Sequence, residues 1–321
     1  MHLPTLVVLG TIVPIFAMGV YYFWRTLRSS RYEAIAFVAC CVYGMAVERL
    51  AIRTTESYDY ADLWLMFGAS PDWVPYTIGI TWAIVIFVVM TTSDRLGLPW
   101  GMRPLLDGAL ATIVDLVIDP VSSASRWVTE TGTSCMNDTT PLFGGFGVWT
   151  WCVPQGDRAL WFTIPLANFL GWFVVVAAIS FTIRAGRQWL GADKWRPVAQ
   201  AALLLGLAAA ALALVKAAAR FYQHEMLGAN GQRALFAAVL IGPLVYVALG
   251  WRRWNYSNAR DLGLLLMPAF AWVGGVGSFL LAGIDRTSWP EAVVRLVAVA
   301  LGGAGLYLLP YVRTLTRRSS S

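Results

Sequence analysis

Two aspartates four residues apart, in the run Asp115-Leu116-Val117-Ile118-Asp119-Pro120, lie inside an otherwise apolar stretch. That spacing puts both carboxyls on one helix face, one turn apart. A carboxylate near the middle of a membrane costs roughly 2.5 kcal/mol or more, so an acid kept there is a candidate for function. Glu48, late in a second apolar run, and Asn168, early in a later one, add two more polar groups. Paired buried carboxyls suit acid–base work, in which one group gives a proton while its neighbour takes one. Structural readings compete at three of the four positions. Asp119 precedes a proline and reads also as a helix end, Glu48 beside Arg49 as an interfacial residue, and Asn168 as an interhelical hydrogen bonder. Asp115 has no such reading.

Aromatic residues crowd the same part of the chain: Tyr58, Tyr60, Trp64, Trp73, Tyr76, Trp82, Trp149, Trp151, Trp161 and Trp172. Trp64, Trp73 and Trp161 are expected to form an interfacial belt. Trp82 and Trp172 fall two or three turns deeper, where a belt does not explain them. An aromatic wall beside carboxylic acids suits a long apolar ligand whose chemistry passes through a cation. Other chemistries lack their residues. His2 and His224 are the only histidines, and no closely spaced cysteines offer a zinc site, so no metal is expected. No glycine-rich phosphate loop opens a helix after a strand. One Asp-x-x-x-Asp is a weak substitute for the aspartate-rich magnesium clusters of a prenyl-transfer enzyme.

The elements that must hold these groups are membrane spans. Of 321 residues, 58% are hydrophobic and 13% charged, and the mean hydropathy is +0.62, which points to lipid as the solvent. Crossing about 30 Å of hydrocarbon takes roughly 20 helical residues. Nine segments qualify, near 6–24, 33–52, 74–92, 103–121, 160–183, 197–218, 233–251, 264–284 and 291–312. The expected fold is therefore all-α: a polytopic membrane bundle of about nine helices forming one domain over 1–321. Its site-bearing part covers about 33–183, and scaffold helices cover about 197–312. The first span lacks a signal-peptide cleavage pattern and reads as retained. The net charge of +6 comes from basic residues clustered between spans, where they act as topology signals and imply no nucleic-acid surface. Arg25, Arg28 and Arg31, then Arg184 and Arg187, then Arg252 and Arg253, and finally Arg313, Arg317 and Arg318 fall on one side. The positive-inside rule then predicts an N-terminus outside and a C-terminus in the cytoplasm.

On that topology Asp115 lies about 18 Å, Asp119 about 24 Å and Glu48 about 22 Å along outward-running helices, and Asn168 about 12 Å below an outer end. All four then share the outer half. The long connection 122–159 is expected to cap that side, with Cys135 and Cys152 able to pair in an oxidising compartment; the short segment 62–69 reads as interfacial. Spans 6 to 9 are rich in Ala, Leu and Gly. Gly274, Gly275, Gly277, Gly302, Gly303 and Gly305 let helices pack closely in lipid. No clear internal repeat is evident.

The run from Asp115 to Pro120, the Trp149-x-Trp151 pair and Ile164-Pro165-Leu166-x-Asn168-Phe169-x-Gly171-Trp172 closely resemble the signature of the carotenoid biosynthesis membrane proteins that include the CruF-type carotenoid 1,2-hydratases. Glu48, Tyr58-x-Tyr60 and Val74-Pro75 followed by Trp82 are similar to that family's earlier motifs. The likeness covers about residues 45 to 185. It departs at two points: about 28 residues separate the Asp-Pro element from Trp-x-Trp, and Trp161-Phe162-Thr163 replaces an aromatic-aromatic-Gly. The resemblance implies an enzyme, a lyase of hydro-lyase type acting on an isoprenoid, that hydrates the terminal 1,2 double bond of an acyclic carotenoid to a tertiary alcohol. It implies Asp115, Asp119 and Glu48 as the acid–base groups. Asn168, Tyr58, Tyr60, Trp82, Trp149, Trp151, Pro165 and Trp172 would line the substrate. No cofactor is implied. The implied surroundings are a bacterial or archaeal cytoplasmic membrane, with membrane lipid, a long-chain carotenoid or other isoprenoid, and other carotenoid enzymes or a pigment complex as partners. The alternative is a non-catalytic subunit that binds a carotenoid or quinone.

Overall fold

A computed structural model describes residues 3–55, 58–60, 65–69, 72–124, 149–151, 159–162, 164–190, 197–223, 228–250, 262–274 and 289–318. Trp64, Cys135, Cys152, Gly275, Gly277, most of the connection 122–159 and the second half of the eighth expected span lie outside the described residues. Mostly helix is seen: α1 (Leu3–Ser29), α2 (Arg31–Thr55), α3 (Tyr76–Arg95), α4 (Met102–Ala124), α5 (Leu166–Leu190), α6 (Pro197–Gln223) and α7 (Ala229–Leu249). A 3-10 turn (Leu262–Leu265) then leads into the single turn α8 (Leu266–Ala269) and a π turn (Phe270–Gly274), and the long helix α9 (Trp289–Arg318) follows. Helices of this length satisfy their own backbone groups, which is what a lipid solvent demands.

Among the described residues four stretches are long and apolar enough to cross a membrane: Arg31–Arg53, Tyr76–Arg95, Leu166–Gln188 and Ala229–Leu249. α4 is not one of them, because every 18-residue stretch within it contains Asp107, Asp115 and Asp119. Yet α4 is the most enclosed helix, with every residue from 106 to 117 buried. Its polarity is hidden inside the bundle. α4 packs chiefly on α5 and α2 chiefly on α3, while α7 and α9 close over α4. Small residues set these approaches: a Cβ on Gly108 would lie 2.6 Å from the Phe173 carbonyl oxygen on α5, and one on Gly303 of α9 would lie 2.7 Å from Ile113. Gly302 and Gly305, expected to serve the same purpose, face open space.

Three two-stranded antiparallel ladders gather at one end of the bundle. They comprise β1 (Tyr58–Tyr60) with β4 (Trp149–Trp151), β2 (Met66–Phe67) with β3 (Val74–Pro75), and β5 (Leu160–Trp161) with β6 (Ile164–Pro165). Their order exposes a repeat that hydropathy hides. Helix α2, a lone strand, a hairpin ending in Pro75 and helix α3 are followed by helix α4, a lone strand, a hairpin ending in Pro165 and helix α5. Each hairpin closes alike, with the Tyr76 N–H donating to the Leu65 carbonyl and the Leu166 N–H to the Ala159 carbonyl. Trp82 and Trp172 both come seven residues after their proline. The lone strands pair with each other, Tyr58 opposite Trp151 and Tyr60 opposite Trp149, as a local two-fold relation requires. The expectation of no repeat is thus corrected; the helix-to-strand connections differ in length, and that offset masks the period.

Candidate functional site

The ladder end holds three buried carboxyls, Glu48, Asp115 and Asp119, which are 7%, 1% and 2% exposed. Each is met by uncharged donors. Tyr58 and Tyr60 both donate to Glu48 Oε2, Tyr60 at 2.9 Å, and the Trp82 indole donates to Oε1 at 2.8 Å. Burial, reinforced by the Glu48 carboxyl, holds the Tyr58 and Tyr60 hydroxyls well above the usual phenol range, so both remain neutral donors. Asp119 Oδ1 accepts from the Trp149 and Trp151 indoles at 2.5 and 3.0 Å. The Asn168 amide nitrogen completes the group: its two hydrogens serve Asp119 Oδ2 at 2.5 Å and Asp115 Oδ2 at 3.1 Å. One amide therefore ties the two aspartates together, no farther apart than two hydrogen-bond lengths.

Local structure explains these positions. Leu166 opens α5 directly after Pro165, so Asn168 projects from the first turn of α5 toward the last turns of α4. Pro165 is buried in β6, where it serves to start that helix. Strands β1 and β4 alternate, placing Tyr58 and Tyr60 on one side of the ladder and, opposite them, Trp151 and Trp149. The rings meet across the ladder, Tyr58 with Trp151 at 4.7 Å between centroids and Tyr60 with Trp149 at 5.8 Å. Beneath, Trp82 and Trp172 stack at 4.0 Å and 20°, joining the two halves of the repeat. Among the described residues, Glu48, Asp115, Asp119, Asn168, Tyr58, Tyr60, Trp82, Trp149, Trp151 and Trp172 thus lie in one aromatic-walled cluster, while Tyr76 turns outward against Phe67.

No family model matches this chain, and no curated protein and no solved structure matches it.

Two expectations change. The helix does not end at Asp119: α4 runs on through Pro120 to Ala124. A proline inside a helix deprives the carbonyl four residues back of its donor, here that of Leu116. The Trp161 indole supplies it, at 3.0 Å. The Trp73 indole likewise donates to the Tyr60 carbonyl at 3.1 Å. These two tryptophans, expected in an interfacial belt, also fasten the backbones that carry Asp119 and the β1 tyrosines. Phe162 adopts φ 55° in the β5–β6 turn, a conformation costing a side-chain residue about 1 kcal/mol.

The second change lies at the opposite end of the bundle. Arg184, one of the basic residues that cluster between spans in sequence, is 3% exposed and paired to fully buried Asp107 of α4, an acid not among the sequence candidates. Arg184 also reaches Asp94 at 3.1 Å and the Ser93 hydroxyl at 2.8 Å. Arg187 bridges Glu33 at 2.6 Å and Asp94 at 3.0 Å, and Arg103 meets Asp94 at 3.2 Å. Acids that share a helix end with arginines are a legible signal of such a network, but only once the helices are paired.

Proposed function

We propose that this protein is a membrane enzyme that adds water across the terminal 1,2 double bond of an acyclic carotenoid, giving a tertiary alcohol. The supporting observation is the Asp115–Asn168–Asp119 constellation: two carboxyls on one amide, walled by indoles and served by neutral donors. Such a group can exchange a proton with an alkene, since two adjacent buried carboxyls favour a shared proton. Asp119 takes three donors, which suit a carboxylate. The donor shown for Asp115 is Asn168 alone, so Asp115 is the acid of the pair.

The steps balance without a redox partner. Asp115 delivers its proton to C2, leaving a tertiary cation at C1. Indole faces around the pair, those of Trp149 and Trp151 first, would favour that cation over its apolar precursor. Water then attacks C1, and its surplus proton passes to Asp119 and back through the pair. The nine-span topology, N-terminus outside and site in the outer half, gives water a short path to this centre, and cysteine labelling from each side of the membrane checks it. For the chemistry, Asp115→Asn and Asp119→Asn in a carotenoid-producing host are the test. Both variants should leave the substrate unchanged; hydroxylated product at the wild-type level from both would exclude the assignment. Pigment retained stoichiometrically through purification, without turnover, would instead favour a carotenoid- or quinone-binding subunit.

A further inference from the structure

The two repeated halves carry different residues at matching places, and the difference falls on the acids. With Glu48 set against Asp119, the position one turn earlier is Gly44 in α2 and Asp115 in α4. A Cβ on Gly44 would lie 2.4 Å from the Trp82 Cβ, so the glycine admits the indole that donates to Glu48. Trp82 thereby fills the space where a second acid would stand. Its counterpart Trp172 stacks on it, and Asn168 serves the aspartates. Glu48 consequently takes three neutral donors, and among the described residues it shares none of them with another acid, unlike Asp115 and Asp119, which share Asn168. Two of those donors, Tyr58 and Tyr60, form the strand that pairs with Trp151 and Trp149, whose indoles donate to Asp119.

We propose that the halves divide the work: Asp115 and Asp119 exchange the proton, and Glu48 is a positioning residue that holds β1 and, through the β1–β4 ladder, keeps the two indoles on Asp119. The division of labour rests on the reading of the aspartate pair as a reaction centre; the tie between Glu48 and β4 does not, and the two can be tested apart.

Asp59 and Thr150 face each other across the ladder, at a spacing that a disulfide spans. In full-length protein in membranes, with Cys135 and Cys152 changed to Ser, the D59C/T150C pair should close on mild oxidation. Glu48→Ala, and separately Tyr58→Phe with Tyr60→Phe, should lower the yield several-fold, while Asp115→Asn leaves it unchanged. A yield indifferent to Glu48→Ala, or lost equally in Asp115→Asn, overturns the proposal. On turnover of an acyclic carotenoid, Glu48→Gln should lower kcat about 10- to 100-fold through misplacement of the indoles. KM and the pH profile should stay unchanged, and no further loss should appear when it is combined with the tyrosine pair. A Glu48→Gln defect as deep as that of Asp115→Asn, or a shifted limb of the pH profile, would make Glu48 catalytic and overturn the positioning role. A wild-type protein without turnover but with the expected cross-linking pattern would remove the reaction centre and leave the Glu48–β4 tie standing.

Discussion

The two ends of the bundle treat their acids in opposite ways. Asp107, Asp94 and Glu33 are met by Arg184, Arg103 and Arg187. Glu48, Asp115 and Asp119 are met by phenols, indoles and an amide. An arginine partner fixes charge and geometry together, which suits a clasp between helices. Neutral donors leave a carboxyl free to gain or lose a proton, and unlike an arginine they would not repel a transient positive charge. α4 carries both kinds of acid, Asp107 near its start and Asp115 and Asp119 near its end, so the contrast lies in the surroundings and not in the helix.

Removing the acid should have the largest effect. Asp115→Asn is expected to lower turnover by about 10²- to 10⁴-fold with protein abundance unchanged, as read by pigment chromatography normalised to membrane protein. At the clasp the balance should reverse. Arg184→Met leaves Asp107 buried without its arginine and should cost about 3–5 kcal/mol, seen as a lower unfolding midpoint in detergent. The double variant Asp107→Asn/Arg184→Met should recover part of that loss. Turnover per folded molecule should change little in either, and a specific loss of turnover there would merge the two ends into one functional unit.

Smaller effects sharpen the boundary of the site. Trp161→Phe strips the Leu116 carbonyl of its donor beside Pro120 and should cost about 1–3 kcal/mol, measurable as a lower midpoint. Trp172→Phe keeps a ring against Trp82 and should cost no more than about 0.5–1.5 kcal/mol of stability. A much larger loss of turnover than of stability in that variant would place the Trp82–Trp172 stack against the reacting carbon.

The cluster of acids was more legible in the sequence than the architecture around it. Acids in apolar runs stand out because lipid penalises them, and the i, i+4 spacing of Asp115 and Asp119 places them on one face without any knowledge of neighbours. Tryptophans are harder: Trp82 and Trp172 were separable by depth, whereas Trp73 and Trp161 carry the composition of a belt and reveal their work only through the Tyr60 and Leu116 carbonyls they reach. Pro120 held an unused clue, since a proline within a helix announces an orphan carbonyl needing a donor. The repeat was written in Val74-Pro75-x6-Trp82 and Ile164-Pro165-x6-Trp172, a signal of spacing that averaged hydropathy erases. The Asp107–Arg184 pair could not be read at all without helix pairing, because 77 residues separate its members.

Expression of the wild type and of Asp115→Asn and Asp119→Asn in a host that accumulates an acyclic carotenoid such as lycopene, with chromatography and mass analysis of the pigments, tests the central claim most directly. A product heavier by one water from the wild type, absent from both variants, is the predicted result. The same hydroxylated product from both variants, or unaltered pigment with wild-type protein confirmed in the membrane, would contradict it.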